Sequence, residues 1–388
     1  MREYHVVELN NLSDVAEQRE RPRNENVRSA MRGVRFQRLI DNYSLISRDN
    51  LFIKCDEYNA KLNKLYDGVA RISHKNAPCG EFLFDSVSTL GYDSLIIDQE
   101  NAVVFIGQLL NWSREYFNWW VENSNVGFVK WNSIASFAAD FGSSKVGSSG
   151  AILLNSPGYG IFGHWLIDFV PRMALSRLML GADPATHLFG PLSDWMRDLI
   201  TRAGISNIQA VGTELTSHID LRLPSSTNAG YGFAEPINSL AWRTLSVSFN
   251  RLNISRDMLT AERLFVSRKQ WQGTRTIDFH DQLENLMVER GFVVLHPEAL
   301  SLAEQACMFA KARVIVGEDG SALHNIIFSA PGARLGVLMD PQRSNLWHAG
   351  ICHLLGHHIA YAPLTRRLDE IAGDLSFVGR FVDQLCAP

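Results

Sequence analysis

His164, Asp168 and Arg172 stand four residues apart in the run GHWLIDFVPR. On a helix they share one face, while Trp165, Phe169 and Met173 point elsewhere. A carboxylate one turn from an imidazole orients it and raises its basicity, so His164 is a candidate to take a proton from a hydroxyl, with Asp168 as its partner. The plainer alternative is a histidine at a helix start with a surface ion pair. A second set of residues lies in VGEDGSALHN, from Val316 to Asn325, where an apolar run gives way to a helical pattern. Gly317 and Gly320 let the backbone approach a ligand, and N–H groups at the helix start would seat a diphosphate. Ser321, His324 and Asn325 follow on the same segment. Glu318 and Asp319 would oppose an anion unless they face another part of the ligand, and either is an alternative base. Arg268 and Lys269 follow an apolar strand pattern and Arg275 lies in the next loop. Three cations there would offset charge developing on a leaving diphosphate, a task given elsewhere to a metal. No DxD motif is present to hold one, and no metal is expected.

Those residues need elements to position them. Asn155 to Gly163 is a turn-rich loop feeding a helix from His164 to Leu180. Short apolar runs at Ser94 to Ile97, Ala102 to Ile106 and Ala151 to Leu154 are expected strands. After Leu264 the pattern is regular: strands at Leu264 to Ser267, Phe292 to Leu295, Val314 to Val316 and Arg334 to Met339 alternate with helical stretches. One of those helices opens with Ser301 and Glu304, a capping box in which each side chain satisfies an orphan donor of the first turn. Strands alternating with helices on short links imply a parallel sheet covered on both faces. Ligands of such sheets collect beyond the carboxyl ends of the strands, which selects Arg268 and Lys269, the Gly317 to Gly320 loop, and Asp340 onward.

At 388 residues the chain exceeds the size at which one core keeps growing, so two domains are expected. Hydrophobic residues make up 46% and charged residues 20%, an ordinary globular balance. A net charge of −4 and a pI near 6.3 provide no field for a phosphate backbone, which argues against a nucleic-acid partner. Cys55, Cys79, Cys307, Cys352 and Cys386 include no CxxC pair, so neither a disulfide framework nor a zinc site is indicated and a reducing cytoplasm is expected. The first 26 residues lack a signal-peptide core and no apolar run reaches transmembrane length. The charged stretch from Leu12 to Gln37 is expected to be an arm or a solvated helix. The aromatic segment from Trp112 to Trp131 is read as buried core, with a membrane-surface or acceptor patch as the alternative; the latter would place the protein peripherally at the inner face of a membrane. His357 and His358 read as structural, and the serines lack a nucleophile-elbow pattern.

Taken in order, GHWLIDFVPR, LFVSRK, LSLAEQ and VIVGEDGSALHNIIF resemble the bacterial members of glycosyltransferase family 61. The pattern matches at Gly291, Phe292, Pro297, Glu298, Leu300, Ser301, Glu304, Gln305, Gly317, Gly320, Ser321, Leu323 and Asn325, and covers roughly Leu154 to Met339. Many relatives carry Asn-Glu where this chain has Phe279-His280. The resemblance implies an α/β fold of the GT-B type with two Rossmann-like lobes, a nucleotide-sugar donor with UDP-type donors favoured, no separate cofactor, inversion at the anomeric carbon, and kinship with enzymes of capsule, lipopolysaccharide and glycoconjugate synthesis. The expected layout is an acceptor lobe over 1–223, a linker over 224–236, a donor lobe over 237–364, and a helix over 365–388 returning to the first lobe. The expected roles are His164, Asp168 and Asp319 in catalysis, Arg172 at the acceptor, and Arg268, Lys269, Arg275, Gly317, Glu318, Gly320, Ser321, His324 and Asn325 at the donor.

Overall fold

The computed structural model describes residues 2–8, 24–40, 43–44, 51–53, 79–90, 95–106, 130–133, 136–154, 158–181, 185–212, 214–229, 231–250, 261–271, 277–340, 345–364 and 371–387. They form two compact units, one of Met1–Asn42 with Asn76–Gly230, the other of Tyr43–Lys75 with Tyr231–Pro388. Among the described residues no helix is long and apolar enough to cross a membrane.

The first unit is built on a twelve-stranded mixed sheet. Its long strand β1 (Cys79–Leu90) pairs antiparallel with the strand Val34–Ile40 and with Leu95–Asp98. This departs from the regular Rossmann-like lobe expected. The reason is local: Leu95–Asp98 and Val103–Ile106 are joined by a tight turn in which Asp98 Oδ1 accepts the Asn101 N–H at 2.9 Å, and a connection that short can only return the chain antiparallel. Parallel pairing does occur where helices intervene. Strands β2 (Ile152–Leu153), β3 (His187–Phe189) and β4 (Ile208–Ala210) lie side by side and parallel, with helix α1 (Val170–Leu180) leading from β2 to β3 and α2 (Asp194–Arg202) from β3 to β4. Strand β5 (Thr216–Pro224) lies parallel to β2 and antiparallel to β1. Phe84, Phe105, Leu153, Leu188 and Leu221 form the buried centre. The N-terminal charged stretch holds a short helix, Glu25–Arg32, capped by the Asn24 side chain, and buries Ala30, Met31 and Val34; its polar residues face outward while a few apolar ones anchor it. All but the last two residues of the Trp112 to Trp131 segment lie outside the described residues.

The second unit contains a six-stranded, all-parallel sheet. Its strands are β6 (Arg263–Val266), β7 (Val293–Leu295), β8 (Val314–Glu318), β9 (Arg334–Met339) and β10 (His358–Pro363), laid out β7-β6-β8-β9-β10, with the strand Leu51–Ile53 on the outer side of β10. All five residues of β8 are buried, as a strand covered on both faces requires. Helices α3 (His280–Glu289), α4 (Leu302–Lys311) and α5 (Trp347–Leu355) connect successive strands. The Ser301–Glu304 capping box forms, the Ser301 N–H reaching Glu304 Oε2 at 2.8 Å and the Glu304 N–H reaching Ser301 Oγ at 3.3 Å. Ser321–Phe328 is a 3₁₀ helix. The terminal helix α6 (Ile371–Cys386) belongs to this unit, and its Val378, Phe381 and Val382 bury against this sheet. Arg290, after α3, pins it through Asp383 at 2.9 Å. The reason for the placement is the apolar stripe, which the sheet's open face covers.

Candidate functional site

In the first unit the chain leaves β2 and enters one α turn, Phe162–His164, followed by a π turn, Trp165–Phe169. Wide turns of this kind recur at functional sites because they redirect one or two side chains out of the helical register. Every residue of the π turn is buried. Trp165 stacks on Phe169 with centroids 4.8 Å apart, and its indole N–H donates to Tyr159 O at 2.7 Å. So held, the helix start places His164 Nδ1 at 2.5 Å from Asp168 Oδ2. With Nδ1–H donated to the carboxylate, the tautomer leaves Nε2 as the basic nitrogen. The His164 side chain is 17% exposed and that of Asp168 3%, so the imidazole is the member that a ligand reaches. Burial pulls the imidazole down, but the hydrogen bond and charge of Asp168 outweigh it, and the net shift is upward. The other carboxylate oxygen, Oδ1, accepts the side-chain amide of Asn228.

Arg172 does not sit where an acceptor contact would need it. It is fully buried, its Nε donating to Pro224 O at 3.0 Å and its Nη2 reaching Leu153 O at 3.5 Å. Helix α1 lies against β5 and β1, and its packed face carries Arg172 with it. Burial draws the guanidinium down to about 10 against the pull of Asp168, so it stays a cation at neutral pH.

In the second unit, β6, β8 and β9 lie side by side and parallel, and described residues past their carboxyl ends meet. Past β6, the Arg268 N–H donates to Glu318 Oε1 at 3.1 Å, and its Nη1 donates to Asp319 O at 3.3 Å. The same Glu318 oxygen lies 3.2 Å from His280 Nδ1, so this buried carboxylate fastens two strand ends and does not stand as an unpaired anion in a diphosphate seat. The glycines serve geometry: a Cβ at Gly320 would lie 2.1 Å from Arg268 Nη1, and one at Gly317 would lie 2.7 Å from Leu323 Cδ2. Gly320 therefore makes room for the guanidinium, and Gly317 for core packing. Ser321 is half-buried at the first position of the 3₁₀ helix. Asp319 is covered by the first turn of α5. The Asn345 amide donates to both its oxygens at 3.3 Å, and His348 Nδ1 lies 3.7 Å from Oδ1. His348 Nε2 is 3.2 Å from Gly320 O and donates to it as the neutral imidazole, since burial pushes the ring down to about 4. The His324 ring stands 4.9 Å from that of His348.

Two expected donor residues fall elsewhere. Lys269 turns outward to Asp281 at 2.5 Å and Glu284 at 3.5 Å, drawn by carboxylates on α3. Asn325 is buried and donates to Gln305 Oε1 at 2.8 Å, while Gln305 donates to Pro297 O at 2.9 Å; it ties the 3₁₀ helix to α4. Arg275 lies outside the described residues. Four residues that motif reading did not single out do join these sites: Asn228, His280, Asn345 and His348. A signal existed for the last two, because the strand-end rule pointed to Asp340 onward. Tyr231 joins them as well, at φ 70°. Its ring meets Trp347 edge-on at 4.8 Å, and a Cβ at Gly350 would lie 1.9 Å from its carbonyl oxygen. A tyrosine in the left-handed region is held there by its surroundings.

Among known proteins, the family model described as Glycosyltransferase 61 matches residues 162–336, a stretch that begins at the His164 helix and ends in β9. No curated protein matches the chain.

Proposed function

We propose that the chain is a metal-independent, inverting glycosyltransferase, a reading supported by the match of the Glycosyltransferase 61 model to residues 162–336. It moves a sugar from a nucleotide-diphosphate donor, UDP-type first, to a glycan hydroxyl in surface polysaccharide or glycoconjugate synthesis, and its two units adopt the GT-B arrangement. The observation that carries this reading is that the matched stretch includes both the His164–Asp168 pair and the strand-end cluster of Arg268, Asp319 and Gly320.

In the reaction, His164 Nε2 takes the proton of the acceptor hydroxyl while that oxygen attacks the anomeric carbon. The bond from that carbon to the diphosphate oxygen breaks, and its electron pair departs with the nucleotide. Direct displacement by the acceptor inverts the centre, and the chemistry assigns no carboxylate as a covalent nucleophile. Asp168 holds the imidazole in the tautomer that leaves Nε2 basic. Arg268 and the N–H groups at Gly320 and Ser321 balance the charge on the leaving diphosphate, which is why a metal is not required. Asp319 and Asn345 then face the donor's sugar or ribose hydroxyls.

Measuring nucleoside-diphosphate release with and without a glycan acceptor tests this. Release that depends on acceptor, survives EDTA and yields the inverted linkage is the expected result. Release without acceptor would make the protein a hydrolase, and recovery by manganese after EDTA would overturn metal independence. A thermal-shift series across UDP-, GDP-, dTDP- and CMP-sugars identifies the donor, since a ligand that binds only the folded state raises its stability by mass action.

A further inference from the structure

Asp168 is 2% exposed and ionised carboxylates are costly to bury without donors. One of its oxygens is taken by His164. The other is served by Asn228, in the short strand Asn228–Ala229 that follows β5. Asn228 is itself buried, and its backbone is fixed by Ser226: the Asn228 N–H donates to Ser226 Oγ at 3.4 Å, and that hydroxyl donates to Asn228 O at 3.1 Å. The side-chain Nδ2 that serves Asp168 also reaches Ile167 O at 3.5 Å. It thus spans a carbonyl of the π turn and the carboxylate beside it, at the place where the helix is widest.

We propose that Asn228 is the positioning residue of the base: it fixes the rotation of the Asp168 carboxylate so that Oδ2 stays aligned on His164 Nδ1. This rests on His164 being the base. Without the amide, Asp168 has one fewer donor, and the carboxylate gains by turning toward Arg172, the buried cation on the next turn of the same helix. That rotation takes the acceptor away from Nδ1, loosens the tautomer and lets burial draw the imidazole down. Among the described residues the groups that bear on His164 from its own helix are Asp168 and, through it, Arg172. The Gly158 backbone lies against the ring, the neighbouring Tyr159 phenol is pushed upward by burial against the opposing charge of Arg197, and the Asn228 strand contributes the uncharged amide.

The test compares Asn228→Ala, and Asn228→Leu as a fuller apolar replacement should the alanine variant not fold, with Asp168→Asn and the double variant. Expected are a kcat loss of about tenfold to a hundredfold, the range for groups that orient a reacting residue, and a donor KM within about twofold of the wild type. The acid limb of kcat/KM should move to lower pH, and the double variant should be no worse than Asp168→Asn alone. The His164 imidazole, followed by NMR titration and assigned with His164→Ala, should titrate lower in the Asn228 variants. Unchanged kcat and titration in a folded variant, or a loss that adds to that of Asp168→Asn, overturns the proposal. Full turnover by His164→Ala would instead remove the base reading, while a lowered titration in Asn228→Ala would still report the amide's hold on the pair.

Discussion

His164 and His348 each stand beside an aspartate beyond a parallel strand, and their surroundings move them in opposite directions. His164 meets Asp168 at 2.5 Å and is partly open, so its partner outweighs burial and the imidazole is raised. His348 lies 3.7 Å from Asp319 with Asn345 on the same carboxylate, and full burial brings it down to about 4. A carboxylate nearby therefore does not make a histidine basic; distance and exposure decide. One ring is raised by its carboxylate and left in the tautomer whose Nε2 is basic. The other is kept neutral so that it can donate to Gly320 O and brace the loop.

The largest effect that would break this contrast is at His164. His164→Ala should lower turnover by roughly 10²- to 10⁴-fold, the usual toll for a general base, with nucleotide affinity preserved and Asp168→Asn costing less. Steady-state rates beside a nucleotide titration decide it, and a variant that transfers at the original rate would pass the role to Asp319 or Glu318.

A smaller loss belongs to the other unit. On the proposed role of Arg268 at the donor phosphates, Arg268→Ala should cost about 1.5 to 3 kcal/mol, which calorimetry should read as a fall of about tenfold or more in nucleotide affinity. Lys269→Ala should stay within about twofold, because that ammonium is engaged on the surface with Asp281 and Glu284. Equal losses at both positions would mean that the two cations act together after all.

A pH effect read on stability, and not on turnover or affinity, isolates His348. Because its folded pKa is depressed to about 4, its contribution to stability is present above the ordinary histidine pKa and is lost as pH falls toward 4. Between pH 7 and pH 5 the unfolded chain gains a proton that the folded ring refuses, a loss of about 2 kcal/mol. His164, raised, has the opposite window: its contribution is full below the ordinary histidine pKa and fades as pH rises through the folded value. Urea unfolding at both pH values should show His348→Gln losing less on acidification than the wild type. An unchanged pH dependence would place His348 outside the buried, neutral state.

Much of the second unit was readable in advance because its strands are apolar runs bounded by turns, and because Ser301 and Glu304 mark a helix start through backbone donors. The i,i+4 contact of His164 and Asp168 was readable for the same local reason. What escaped depends on tertiary placement. Arg172 shares the helical spacing of His164 but not its exposure, since which face the sheet covers is set by β1 and β5. Lys269 follows Arg268 in sequence, and only the carboxylates of α3 turn it away. Asn228 sat in a Gly- and Ser-rich stretch that reads as a linker, and no periodicity marks a residue whose partner is 60 positions earlier. The antiparallel pairs of β1 with Val34–Ile40 and with β5 were also missed, because they join segments far apart in the sequence.

The strand Leu51–Ile53 closes the outer edge of the parallel sheet by lying along β10, with Leu51 opposite Ile359. During synthesis these two segments emerge far apart in time, so the earlier one must wait, unpaired, until nearly the whole chain has been made. Pairings of such long sequence separation are slow to form, and an uncovered parallel edge is a template for association with other chains. A fragment beginning at Tyr231 would lack this strand and leave β10 bare. Expression trials that divide the gene at the apparent domain boundary should therefore carry residues 43–75 on the C-terminal piece, or supply them in trans.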